Sequence, residues 1–350
     1  MKLLMFTQIL DKGSSKLGFT YDWVEEFAKH CESLIVVCLY KGKIDLPQNV
    51  KVLSLGKEKG ECRIKYLFNF YKYIWQERRN YDRVFVHMNA IYVVLGGLFW
   101  KIWRKKIGLW YVHRAVPMSL RIAEKFADVI FSASQTGFNL KTEKLKILGH
   151  GIDLNKFKPS IEKKDNNIFK IIYVGRISKI KNQKLLFKAL NILVNKKGIQ
   201  DIKIEIVGEA RTSDDQKYKN SLELYLKENS LNNFVDFKGA VSFNDIVERY
   251  QNSDLSINLC PTGGMDKAVL ESLACGLSVI VMNKSFENVL KNFKDLMILE
   301  DESAEELSEK ILGIKSLGED EKSDLKNKMR DLSGGFGLGE LVLKILSNFE

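Results

Sequence analysis

Residues 253–283, SDLSINLCPTGGMDKAVLESLACGLSVIVMN, read as strand, glycine loop, helix, glycine stop and strand. Leu255, Ile257 and Leu259 form a short apolar run that Pro261 and the Gly263–Gly264 pair end, because a missing N–H followed by two unrestrained residues cannot continue a ladder. From Asp266 the period changes to helical, with Ala268, Leu270, Leu273 and Ala274 on one side and Gly276 placed as the stop. Val279–Val281 then reads as a buried strand. A βαβ unit of this kind commits a chain to a parallel sheet, and it places the backbone N–H groups of Gly263, Gly264 and Met265 at the positive end of a helix, where an anion is favoured. Glu271 shares a helix face with Lys267, and its carboxylate can accept two neighbouring hydroxyls, as in a ribose diol. The plainer alternative, an ordinary helix connection with a solvated glutamate, stays open on the glycine pair alone.

Similar units recur along the chain. Leu3–Ile9, Leu34–Leu39, Val50–Leu55, Val84–Val86, Ile107–Val112 and Val129–Ser132 read as strands separated by helical segments, beginning with a loop, DKGSSKLGF, and a helix over Asp22–His30. The polar stretch GHGIDLNKFKPSIEKKDNN reads as a linker. After it, Phe169–Val174, Ile202–Val207 and Phe234–Phe237 each end at a glycine, namely Gly175, Gly208 and Gly239, and helices are expected over Leu185–Val194 and Leu222–Leu226. Two charged helices, Glu302–Leu317 and Asp320–Leu332, and an apolar one, Glu340–Phe349, close the chain. The pattern predicts an α/β protein with two Rossmann-like, doubly wound parallel-sheet domains: residues 1–160, residues 161–333, and a C-terminal helix in 334–350 packing back toward the first domain.

The net charge of +11 divides unevenly. Residues 1–160 hold 27 Lys and Arg against 14 Asp and Glu, whereas the remainder holds 28 against 30. A basic first half implies an anionic partner, with a membrane surface or a phosphorylated acceptor as suitable as nucleic acid; no RNA- or DNA-binding motif supports nucleic acid. The segments Tyr66–Arg79 and Leu98–Lys106 mix Trp, Tyr and Phe with cations, the composition of helices in a membrane interface, although aromatic helices beside a sheet are ordinarily core with a charged outer stripe. The longest uncharged apolar run, Ala90–Trp100, is too short to span a bilayer, and the opening residues turn polar too soon for a signal peptide, so a cytoplasmic protein, peripheral at the inner membrane face, is expected. Five scattered cysteines fit a reducing compartment and form no metal-binding spacing.

Arg176 and Lys181 lie five residues apart across a strand-to-helix turn, and together with a helix N-terminus they match a diphosphate. His87 and His113 follow strand-like runs of the first half, from which a histidine can donate to a reacting oxygen. The sequence carries no GxGxxG, Walker loop, HExxH, Ser/His/Asp set or metal-holding DxD.

In combination these segments resemble the GT-B fold glycosyltransferases of family four. VGRISKIKNQKLLFKAL resembles the family's donor-phosphate segment, GHGID its interdomain segment, IVGEA its strand-end glycine, and CPTGGMDKAVLESLACGLSVIV its signature around two glutamates. The resemblance is close in the second half and holds only in layout in the first. It implies a retaining, metal-independent transferase that moves a sugar from a nucleoside-diphosphate donor, in a cleft between two domains, to a glycan or lipid-linked acceptor, with no cofactor. By the same resemblance His113, Arg176 and Lys181 are catalytic, and Gly18, Gly175, Gly208, Val241, Gly263, Gly264, Met265, Asp266, Lys267 and Glu271 bind the donor. Lys16 and His87 are acceptor-side candidates. The first of the family's two glutamates falls on Gly263, and Asp266 is the nearest carboxylate that could replace it. That departure also motivates an alternative, a non-catalytic nucleotide-sugar-binding partner of another transferase.

Overall fold

A computed structural model of the chain describes residues 1–13, 18–160, 168–242 and 245–349. The chain divides into two compact units, Met1–Asp153 with Phe336–Glu350, and Leu154–Gly335. In the first unit, strands β1 (Lys2–Leu10), β2 (Ser33–Lys41), β3 (Val50–Ser54), β4 (Arg83–His87), β5 (Lys106–Trp110), β6 (Val129–Ser132) and β7 (Leu145–Ile147) alternate with helices α1 (Phe19–His30), α2 (Arg63–Gln76), α3 (Ile91–Ile102) and α4 (Met118–Phe126). The strands form one parallel sheet in the order β3-β2-β1-β4-β5-β6-β7. Each central strand is apolar on both faces, as a sheet covered on both sides requires. Leu4 and Phe6 of β1 pack under α2–α4, while Leu3 and Met5 pack under α1.

The second unit follows the same plan. It carries β8 (Phe169–Val174), α5 (Gln183–Asn191), β9 (Ile202–Val207), α6 (Ser213–Glu228), β10 (Val235–Gly239), α7 (Asp245–Gln251), β11 (Leu255–Asn258), α8 (Lys267–Ala274), β12 (Ser278–Val281), α9 (Lys294–Met297), α10 (Ala304–Lys315) and α11 (Glu319–Ser333). Its parallel sheet runs β10-β9-β8-β11-β12. The strand order reverses direction between β8 and β11, and ligands of open α/β sheets bind at such a switch point, outside the carboxyl ends of the strands.

The last helix, α12 (Leu338–Ser347), belongs to the first unit, where Leu338, Leu341, Val342, Ile345 and Leu346 fill the core under α1. Phe349 reaches the same core against Phe131. The backbone is pinned there by hydrogen bonds from Ile152 N–H to the Phe336 carbonyl, 2.8 Å, and from Leu338 N–H to the Ile152 carbonyl, 2.9 Å.

The two aromatic segments divide between both readings. Phe70 and Ile74 of α2, and Tyr92, Val93 and Trp100 of α3, are core on the sheet. The opposite side of α2 and α3 is not the plain charged stripe of an ordinary flanking helix, because Ile64, Phe68, Trp75, Leu98 and Ile102 stand exposed on it.

Candidate functional site

The switch point of the second unit gathers most of the candidate residues. β8 ends at Gly175 and Arg176, β9 at Gly208, and β11 at the loop Cys260–Asp266 that enters α8. The backbones of the first two loops touch. Gly208 has φ +146°, and a Cβ placed on it would lie 1.9 Å from the Gly175 carbonyl oxygen. Glycine is therefore required by close approach as well as by conformation. Gly208→Ala is expected to destabilise the chain by about 2–4 kcal/mol, since backbone rather than a flexible side chain must yield; a thermal midpoint equal to that of the unchanged chain would remove this account.

Tyr173, buried in β8, joins the first and last of these loops. Its hydroxyl donates to the Lys181 carbonyl and accepts from Leu259 N–H at 3.4 Å. Gln183 Nε2 donates to the Arg176 carbonyl, 2.9 Å, closing the turn between the two cations. Lys181 is thereby aimed at β11, where its ammonium forms an ion pair with Asp266. Asn258 Nδ2 donates to the same carboxylate, 3.0 Å, and Asp266 caps α8 by accepting from Ala268 N–H, 3.4 Å. Burial alone would raise the Asp266 carboxyl, but the Lys181 charge and these hydrogen bonds outweigh it and hold the group below the usual range. An anion thus already sits at the α8 N-terminus, beside one of the two cations. The other, Arg176, is exposed, with Nε 3.9 Å from Asp215.

Asn283 Nδ2 donates to the carbonyls of Gly263 and Gly264, at 3.5 and 3.2 Å, which holds those oxygens on one side of the loop. Among the described residues, the N–H groups of Gly264 and Met265 donate to no acceptor within the chain. Gly263 has φ +115° with open space where a Cβ would be.

Glu271 lies one turn into α8 and is buried, with the Tyr250 hydroxyl donating to its Oε2 at 3.3 Å. Burial pushes its carboxyl up to about 7, with Asp266 adding to the rise and the Lys267 charge and the Tyr250 hydrogen bond opposing it. Val241 is half-buried in the loop after β10, at the edge of the sheet farthest from β12.

The remaining candidates belong to the first unit. Gly18 is buried at the start of α1, after β1, and His87 is buried at the end of β4, its ring 5.0 Å from that of Trp23 and 5.8 Å from that of Phe19. β1 and β4 are neighbours at the switch point of their own sheet. His113 is exposed three residues beyond β5, where its Nδ1 accepts from Ala115 N–H at 2.9 Å, so the neutral ring carries its proton on Nε2, available to a ligand. Lys16 lies outside the described residues. Among the described residues, no three His, Cys, Asp or Glu side chains are grouped to hold a metal ion.

Sequence reasoning missed Tyr173, Asp215, Tyr250 and Asn258, which orient the named residues. Only Asn258 left a signal, a polar residue at the end of an apolar strand. The others reach the site from separate elements.

Residues 154–331, just over half of the chain and including all of this second-unit site, match the family described as Glycosyl transferases group 1. Among curated relatives, the chain is 30% identical over 167 residues to the UDP-Gal:alpha-D-GlcNAc-diphosphoundecaprenol alpha-1,3-galactosyltransferase of Escherichia coli, covering 45% of this chain and 41% of that one. It is 23% identical over 198 residues to the human GDP-Man:Man(3)GlcNAc(2)-PP-Dol alpha-1,2-mannosyltransferase, covering 55% and 40%. The chain therefore matches about two fifths of the length of these relatives. Among solved structures, Anabaena HepE in complex with UDP and glucose superposes with a TM-score of 0.75 at 18% identity, covering 99% of both chains. The two parallel-sheet units have the GT-B architecture of that structure, and with the family match across its second unit the chain belongs to the glycosyl transferases group 1 family.

Proposed function

We propose that the chain is a retaining glycosyltransferase that moves a sugar from a nucleoside-diphosphate donor to a glycan or lipid-linked acceptor without a required metal. The observation that carries this reading is the convergence of Arg176, Lys181, the α8 N-terminus and Glu271 on one sheet switch point. Two cations and a helix end suit a diphosphate, and a buried carboxylate one turn further suits a ribose diol. Arg176 and Lys181 take up the charge that develops on the departing diphosphate. By the family resemblance, His113 donates from Nε2 to the donor sugar, Gly18 and Lys16 flank the phosphates and acceptor, and Val241 and Gly208 border the base. The acceptor hydroxyl approaches on the face the diphosphate leaves. Its oxygen forms the new bond to the anomeric carbon as the sugar–phosphate bond breaks, and its proton passes to a diphosphate oxygen.

The E. coli and human relatives are named for acceptors on a diphosphoundecaprenol and a PP-Dol, which supports a lipid diphosphate here as well. The basic first half supports placing the chain in the cytoplasm, peripheral at the inner membrane face, where such an acceptor would be met. One observation favours the second reading, a donor-binding partner without turnover: Gly263 stands where the family carries a carboxylate, and Asp266, the nearest replacement, is engaged by Lys181.

The test is a thermal-shift screen against UDP-, GDP-, ADP- and dTDP-sugars, with and without a divalent cation, followed by donor hydrolysis and transfer. One donor is expected to raise the melting temperature without metal, by the mass action of binding to the folded state, and Arg176→Ala is expected to abolish the shift. Binding without hydrolysis or transfer to any lipid-diphosphate acceptor would select the second reading. No binding at all would end both.

A further inference from the structure

Helices α2 and α3 lie side by side on the first sheet, joined through Trp75–Trp103 at 5.8 Å and Tyr71–Phe99 at 5.7 Å between ring centres. Their inner sides are core, so the sides turned from the sheet share one outward surface. On it Ile64 is 80% exposed, Phe68 61%, Trp75 55% and Ile102 65%, and Leu98 is exposed beside them. Positions 64, 68 and 75 follow one stripe of α2, and 98 and 102 one stripe of α3. So many large apolar side chains on one face of a soluble unit mark a surface meant to be covered.

Charge identifies what covers it. Residues 63–126 hold 13 Lys and Arg against 3 Asp and Glu, a surplus of 10 within a chain whose net charge is +11. Among the described residues, Arg63, Lys65, Lys72, Arg78, Arg79 and Arg104 form no ion pair with a carboxylate, and the Arg78 guanidinium lies 4.6 Å from the centre of the Trp75 ring. A second copy docking through this face would set like charges opposite one another. Nucleic acid would engage the cations but leave Ile64, Leu98 and Ile102 unused. A bilayer interface with anionic headgroups matches both features, with the aliphatic and aromatic tips below the headgroups and the cations among them.

We infer that the outward face of α2 and α3 is a docking surface for an anionic lipid bilayer. The inference rests on the peripheral-membrane part of the function proposed above and names the residues that carry it. It is independent of donor chemistry.

The experiment is co-sedimentation of the full chain with vesicles of phosphatidylcholine alone or mixed with phosphatidylglycerol, at low and high salt. Two variants are compared, Phe68→Ser/Trp75→Ser/Ile102→Ser and Lys72→Glu/Arg79→Glu/Arg104→Glu. The unchanged chain is expected to bind the mixed vesicles, to bind phosphatidylcholine far less, and to lose binding in salt; each triple variant is expected to bind at least about tenfold more weakly. Quenching by brominated acyl chains supplies a readout in a milder variant: part of the tryptophan emission should be quenched in the unchanged chain, and that part should vanish in Trp75→Phe. If the unchanged chain ignores mixed vesicles at low salt, both the peripheral reading and this face fall. If it binds and the variants bind equally well, the face falls and the peripheral reading stands. If it self-associates instead, and the apolar variant abolishes that, the face belongs to a second copy and the inference is overturned.

Discussion

Lys181→Ala is expected to lower kcat by about two to three orders of magnitude, the loss typical of removing one group that stabilises developing charge in a water-poor site. The ion pair with Asp266 adds a second expectation. With its counter-charge gone, the Asp266 carboxylate keeps only the Asn258 and Ala268 hydrogen bonds, so Lys181→Ala should also cost stability, about 1–3 kcal/mol given partial exposure of both side chains. Combining it with Asp266→Ala should recover much of the stability and none of the rate. Asp266→Asn alone frees Lys181 from competition, and the nucleoside diphosphate product should then bind more tightly while turnover slows at release. Calorimetry of the diphosphate with the four proteins checks this. A rise in KM with kcat unchanged in Lys181→Ala would instead restrict the lysine to binding that is uniform between ground and transition states.

Glu271→Gln is expected to weaken donor binding by about one to two orders of magnitude, as the loss of hydrogen bonds to a charged group does, and to remove a pH dependence that the unchanged chain shows. In the fold, burial raises this carboxyl from 4.5 to about 7. The protonated form is thus favoured by folding. Its contribution to stability is fully present below about pH 4.5, falls on the order of 3 kcal/mol as pH rises to about 7, and is flat above. Donor binding has the opposite sign, because two ribose hydroxyls require the ionised form: kcat/KM should rise with pH, reaching half its maximum near pH 7 and levelling off above that. Tyr250→Phe removes a hydrogen bond that favours ionisation, so the acidic limb should move to higher pH. A limb unchanged in Glu271→Gln would assign the titration to another group.

How much of this was legible in the sequence varies with how local the cause is. The central strands could be read because a doubly covered strand is largely apolar, and the α8 loop because Pro261, the glycine pair and Asp266 act within a few residues. β7 was missed: Leu145–Ile147 is three residues long, exposed at the sheet edge, and interrupted by Lys146. α6 was read as Leu222–Leu226 because the first half of Ser213–Glu228 is polar and faces water. The Thr212–Asp215 capping box was the available signal for its start. The aromatic helices could not be resolved between core and surface, since composition is the same for a face turned inward and a face turned outward. At the site, the ionic and polar partners of Lys181, Glu271 and Arg176 come from other elements, and no spacing rule connects residue 250 to residue 271.

The placement of α12 has a consequence for synthesis. Leu338, Leu341, Val342, Ile345, Leu346 and Phe349 complete a core whose other buried members lie in residues 3–133, so the strands of the first unit cannot finish their core until residues 338–349 have been made. Loop closure over that span is slow, and until then α1 offers an uncovered apolar side to solvent and chaperones. The second unit has no such dependence, since Leu154–Gly335 is contiguous and its core is complete without α12. A chain truncated before residue 338 would therefore carry every element of the second unit attached to a first unit whose core is unfinished.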